Sequence, residues 1–144
     1  MGAVGVKSVI TDKYLRPMKD ARLSANGRGN PQMCLEKART GNDMYHIKSR
    51  ETNKYWQVKS AGDPWITADA DVINEDQRSL ACTMFHVNCF ATSATDPVGK
   101  TARLRHGNLQ RYACAFKDGD DYYLRAVSDS TDNDSKDVFV CEKF

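Results

Sequence analysis

The side chains able to do chemistry fall into four groups: three histidines (His46, His86, His106), five cysteines (Cys34, Cys82, Cys89, Cys114, Cys141), an acidic stretch carrying Asp129, Asp132, Asp134 and Asp137, and two tryptophans, Trp56 and Trp65. The histidines lack the His-x-x-x-His spacing that aims two imidazoles at one metal ion. The acidic stretch lacks the Gly and closing Glu of a calcium loop. No Gly-x-Ser-x-Gly elbow is present, and Gly27-Arg28-Gly29 lacks the further glycines of a phosphate cradle. No two carboxylates are placed by the sequence in a shared apolar cleft, where their pKa values would separate for acid–base work. The expectation is a protein that is not an enzyme and uses no metal and no cofactor.

Trp65 is the exception, because it follows Gly62-Asp63-Pro64, a turn-forming set that places an indole at a loop edge. An aromatic ring beside an acidic side chain suits a sugar: the CH face of a pyranose packs on the ring while hydroxyls donate to the carboxylate. Plain packing is the competing role for Trp65. Trp65 is thus a candidate for sugar stacking or for packing, and the sequence leaves both open at this point.

The chain has 144 residues and a formal charge of +2, with 40% hydrophobic and 28% charged residues. That length fits one domain spanning 1–144. So small a net charge gives no broad basic field for nucleic acid, and no apolar run is long enough for a membrane-spanning helix. An odd cysteine count without Cys-x-x-Cys fits free thiols in a reducing compartment, and Cys34, Cys82 and Cys141 sit in or beside apolar runs. The start of the chain lacks the pattern of a secretory signal, so a cytoplasmic, or nucleocytoplasmic, location is expected. Asn133-Asp134-Ser135 is a glycosylation sequon that would need a secretory route.

The elements that position these residues come from a repeat. Lys7-Ser8, four residues, Lys13-Tyr14 is matched by Lys48-Ser49, four residues, Lys54-Tyr55, and again by Arg105-His106, four residues, Arg111-Tyr112. A further strand candidate follows each tyrosine (23–25, 65–68, 123–127), and each unit closes on another apolar run (33–35, 82–87, 138–141). Short strands with turn signals between them predict an all-β chain, and three four-stranded units with pseudo-threefold symmetry make a β-trefoil. Tyr14, Tyr55 and Tyr112 are expected to build the core, with Trp56 on the face opposite Tyr55. The stretch Asn74 to Ala81 has room for at most one or two helical turns, and the acidic run at 129–134 reads as a solvated loop.

His46-Ile47-Lys48-Ser49-Arg50, Thr52-Asn53-Lys54-Tyr55, Trp65-Ile66-Thr67-Ala68, Ala81-Cys82-Thr83 with Phe85, and Ser135-Lys136-Asp137-Val138-Phe139 closely resemble the amaranthin family of plant agglutinins. Arg103-Leu104 with His106 and Tyr112 is similar to that family's third unit. The resemblance covers most of residues 4–144. It implies a β-trefoil lectin that binds galactose and N-acetylgalactosamine glycans of the T-antigen type without a metal, and whose sites form between domains of different subunits. A homodimer or higher homo-oligomer is the implied assembly. The family's sugar loop maps onto Gly62, Asp63, Pro64 and Trp65. Of these only Trp65 keeps the family residue, so the loop has lost amide, imidazole and phenol groups. A protein-interaction or assembly module with a diverged sugar loop is the alternative reading.

Overall fold

A computed structural model describes residues 3–89 and 101–143. They form twelve strands: β1 (Ala3–Ser8), β2 (Lys13–Pro17), β3 (Leu23–Gly27), β4 (Met33–Lys37), β5 (Met44–Ser49), β6 (Lys54–Val58), β7 (Ile66–Ala70), β8 (Met84–Cys89), β9 (Thr101–His106), β10 (Tyr112–Asp118), β11 (Asp121–Ser128) and β12 (Phe139–Lys143). No helix occurs among the described residues. The stretch from Asn74 to Ala81 instead makes tight turns, closed by Ser79 N–H donating to Asp76 C=O and Cys82 N–H donating to Ser79 C=O.

Six strands close a barrel: β1 pairs with β4, β4 with β5, β5 with β8, β8 with β9, β9 with β12, and β12 returns to β1. Closure removes the exposed strand edges that invite aggregation. The remaining strands form three hairpins, β2–β3, β6–β7 and β10–β11, which cap one end. The all-β trefoil expected from the repeat is therefore the observed fold.

The four-residue spacing of the repeat is a turn. Asp12, Asn53 and Gln110 each close it with a left-handed backbone, at φ 57°, 59° and 57°. Each donates its N–H four residues back, to Ser8, Ser49 and His106. Asn and Asp tolerate this conformation better than most side chains. The turn fixes register, so that Lys7 lies opposite Tyr14, Lys48 opposite Tyr55, and Arg105 opposite Tyr112.

That register overturns the expectation that the tyrosines build the core. Tyr14, Tyr55 and Tyr112 are half-buried on the outer face, each beneath its partner cation at 5.7, 5.2 and 5.8 Å. Strand alternation puts the next residue inside, and Leu15, Trp56 and Ala113 are at most 1% exposed. The tyrosine carries a hydroxyl that needs a partner: Tyr14 donates to Glu142 and Tyr55 to Glu36. Tyr55 and Trp56 do face opposite ways, and it is the indole that enters the core, edge-on to Phe85.

Cys82, Cys114 and Cys141 are buried, while Cys34, expected inside, is half-buried. Burial pushes the Cys114 thiol up to about 11, so it behaves as a small apolar side chain. The acidic run does lie in the loop between β11 and β12. Within it the sequon residue Asn133 directs its amide to Ser130 C=O and to Asp137, and Asp137 is buried against Arg103.

Candidate functional site

The cap is where the three units meet. Each contributes an apolar-x-Ala triplet, Leu23-Ser24-Ala25, Ile66-Thr67-Ala68 and Leu124-Arg125-Ala126, whose first and third residues are at most 1% exposed. The residue before each triplet reaches toward the shared axis: Arg22 from the first unit, Trp65 from the second, Tyr123 from the third. Backbone pairing runs cyclically, with Arg22 opposite Thr67, Trp65 opposite Arg125 and Tyr123 opposite Ser24. Ala68 N–H donates to Ala21 C=O, and Ala126 N–H donates to Pro64 C=O. Local sequence thus fixes three equivalent places, and their side chains differ.

At the centre the side chains stack. The Arg22 guanidinium lies 4.9 Å from the Trp65 ring and 4.0 Å from the Tyr123 ring. Arg125 lies 4.8 Å from Trp65 and 5.0 Å from Phe116. Trp65 meets Phe116 and Tyr123 edge-on, at 5.9 and 6.1 Å between centroids. Cations over aromatic faces attract the ring quadrupole more strongly when partly desolvated, as here. Arg22 is held in turn by Asp20 and Asp118, at 2.7 and 2.8 Å.

The four residues predicted from sequence occupy the turn between β6 and β7, and the structure separates their roles. Gly62 is exposed. Pro64 is buried, and its carbonyl ties this turn to the third unit. The Asp63 backbone N–H donates to Ser60 Oγ at 3.0 Å, and its carboxylate faces Arg125 Nη2 at 3.4 Å. Trp65 is half-buried in the cluster just described. Arg125 Nε is buried with no hydrogen-bond partner among the described residues, which leaves a donor beside the indole. Arg22, Phe116, Tyr123 and Arg125 were not singled out by sequence reasoning. The signal that finds Arg22, Tyr123 and Arg125 is the position directly ahead of, or inside, an apolar-x-Ala triplet; Phe116, on β10, carries no such signal.

A second polar cluster sits on the barrel side of the second unit. His46 Nδ1 lies 2.7 Å from Thr83 Oγ1, and Nε2 lies 2.9 Å from Glu75. Hydrogen bonding from His46 above all, and further bonds from Arg39 N–H and Thr40, pull the Glu75 carboxyl down to about 2. His46 and Thr83 are 2% and 0% exposed, so this chain of bonds anchors the connection after β7 and is closed to substrate. Burial pushes His106 below its ordinary value; its Nε2 bonds Cys82 C=O. No group of three or more metal-ligating side chains converges among the described residues.

Among solved structures, a designed 3-fold symmetric protein, ThreeFoil, superposes with a TM-score of 0.73 at 11% identity, covering 100% of both chains. A complex of lysenin with phosphocholine gives 0.69 at 16% identity, over 99% of this chain and 44% of that one. A salivary protein from Culex quiquefasciatus of the Cysteine and Tryptophan-Rich family gives 0.68 at 14% identity, over 99% and 94%. At these identities the likeness concerns the fold alone. No curated protein matches the chain by sequence. The Agglutinin domain family model matches residues 22–142, a span that holds the whole cap cluster from Arg22 to Arg125, and the chain belongs to the Agglutinin domain family.

Proposed function

We propose that the protein is a non-catalytic lectin that recognises galactose or N-acetylgalactosamine glycans of the T-antigen type, without a metal, at the turn formed by Gly62, Asp63, Pro64 and Trp65. The observation that supports this reading is the juxtaposition of half-exposed Trp65 with a carboxylate, Asp63, that is 47% exposed, and with a guanidinium, Arg125, from the next unit. The indole offers its edge and part of its face to the CH groups of the sugar. Asp63 accepts from two neighbouring hydroxyls, and Arg125 donates to a ring or linkage oxygen. Such a shallow site binds weakly alone and tightly when copies are displayed together, so a homodimer or higher assembly is part of the proposal.

A glycan array run on folded protein tests it. Signal should concentrate on terminal galactose and N-acetylgalactosamine, and both Trp65→Ala and Asp63→Asn should remove it. Asp63→Asn changes no packed group, so it guards against loss through unfolding. A folded sample that is silent on the array would sink the proposal. A second reading is favoured by the stacking of Arg22 and Arg125 on Trp65, which already covers part of the ring: the cap is then a protein-binding or assembly surface. Partners captured in excess galactose, and lost on Trp65→Ala, would select that reading.

A further inference from the structure

We propose that the cleft between the first and third units is a second ligand site, built for an acidic sugar: a monosaccharide carrying vicinal hydroxyls and one carboxylate or sulfate. It rests on the glycan-binding reading but uses none of the residues of the Gly62–Trp65 turn.

The cleft has a volume of about 600 Å³ and lies between the β2–β3 hairpin and the β10–β11 turn. That size suits one or two sugar rings. Pairing of Tyr123 with Ser24 joins its two walls, so the walls are held together by backbone. One floor position is Gly27, where a Cβ would come within 2.5 Å of Tyr14 C=O; only glycine lets the strands meet there.

Its side chains divide by chemistry. Lys13 and Arg28 line it, and neither has an acidic partner among the described residues. Arg16, the third cation, is engaged with Glu51 at 2.7 Å and donates to Arg28 C=O at 2.9 Å. It thereby fixes the segment that carries Arg28 instead of serving a ligand itself. On the facing wall Asp121 accepts from the Asn26 amide at 2.6 Å through one oxygen, while Asp120 has no partner among the described residues. Tyr122 is half-buried against the core and its hydroxyl is likewise unengaged, and Met18 is 41% exposed.

Two free cations and two carboxylates with open acceptor sites balance in charge, so the cleft draws neither a bare anion nor a bare cation strongly. A molecule that offers an anionic group at one end and hydroxyl donors at the other satisfies both sets. Lys13 and Arg28 take the anion through charge-assisted hydrogen bonds. Asp120 and Asp121 accept from hydroxyls, and Tyr122 with Met18 packs on the CH face. A neutral sugar would leave the cations unused.

The test is a nitrogen-15 amide titration of the full chain with glucuronate and, separately, glucose 6-sulfate, with glucose as the neutral control at matched pH and ionic strength. At least one anionic sugar should produce saturable shifts at Gly27, Arg28 and Tyr122, and should bind at least ~10-fold more tightly than glucose. Which anionic sugar binds assigns the carboxylate or the sulfate. The double variant Lys13→Gln/Arg28→Gln, changed only at exposed positions, should lose at least ~10-fold in affinity, while Asp63→Asn should leave it intact. No saturable shift with either anionic sugar, equal affinity for glucose, or an undiminished double variant would each overturn the proposal. A silent galactose array beside a positive titration would discard the Trp65 reading and keep this one.

Discussion

Asp63 and Asp121 stand in the same place in successive units, two residues ahead of the aromatic that reaches the cap axis, and each bonds a side chain of the following unit. Asp63 meets a cation, Arg125, at 3.4 Å; Asp121 meets a neutral amide, Asn26, at 2.6 Å. At the first junction the guanidinium also covers Trp65 and Phe116, so charge and aromatic surface are satisfied internally. At the second, the guanidinium that crosses, Arg22, engages Tyr123 and Asp118 and does not reach Asp121; a cleft stays open beside Asp121, and the cations that line it have no acidic partner beyond Arg16 with Glu51. Symmetry of the backbone supplies equivalent places, and the identity of one partner residue decides whether a place is filled from within or left for a ligand.

The largest test of this difference is truncation of the aromatic on each side. Trp65→Ala removes a ring that four neighbouring side chains pack against. Full burial would make such a loss about 3–5 kcal/mol; for a half-buried ring about 2–3 kcal/mol is expected. Tyr122→Ala, beside the open cleft, should cost about 1 kcal/mol, since the ring is half-buried at the margin of the core and borders open space. Urea midpoints with unchanged slopes would measure both. Equal costs would mean that the two junctions are packed alike, and the contrast would fail.

Next in size is a device that the second unit has added beneath its cap. Glu75 has a carboxyl held near 2 against an ordinary 4.5. Because the folded value is the lower one, its stabilising effect is fully present above about 4.5 and disappears as pH falls through about 2. Glu75→Gln should cost about 1–2 kcal/mol at neutral pH, the worth of hydrogen bonds to a partly exposed charged group. It should also flatten the acid limb of a stability–pH curve. An unchanged limb would show that this carboxylate is not what acid removes.

Much of this architecture is legible in the sequence because a closed trefoil must repeat its turns. The basic residue, six-residue step and tyrosine mark a hairpin whose register is set by a left-handed fourth turn residue, and three copies suffice to give the fold. The direction of those tyrosines is not legible in the same way. Lys-Tyr reads equally well with the ring inward or outward until strand register is known, and here the following residue, Leu15, Trp56 or Ala113, is the one inside. Trp65 was marked by the turn before it. Its partners were not, because Arg22, Phe116, Tyr123 and Arg125 are brought to it by cyclic pairing between units far apart in sequence. The cleft at Lys13, Arg28 and Asp120 is equally a product of topology.

Converting one junction into the other is the third test. Arg125→Asn gives the second-to-third junction the neutral partner found at the third-to-first, frees the Asp63 carboxylate and leaves Arg22 as the one guanidinium over Trp65 among the described residues. A partly exposed ion pair and two cation–ring contacts make the expected loss about 1 kcal/mol. Indole fluorescence should become more accessible to a neutral quencher such as acrylamide, while Trp56, fully buried, stays shielded and supplies the internal reference. If quenching is unchanged, Arg125 does not cover Trp65 in solution, and the first junction is as open as the second.

The smallest test concerns the places where the three units have not diverged. Asn53 sits at φ 59°, is exposed and makes no side-chain hydrogen bond among the described residues, so substitutions there report backbone conformation with little else. Asn53→Gly should change stability by no more than a few tenths of a kcal/mol, because glycine adopts this φ without strain. Asn53→Ala should cost about 0.5 kcal/mol, because a Cβ without a local polar bond is disfavoured there. The same pair of changes at Asp12 should give the same ordering once the Lys7–Asp12 ion pair is screened by salt. Matching responses at these two turns, beside unequal responses at Trp65 and Tyr122, would locate the asymmetry of the molecule in the cap side chains; a mismatch at the turns would place part of it in the backbone itself.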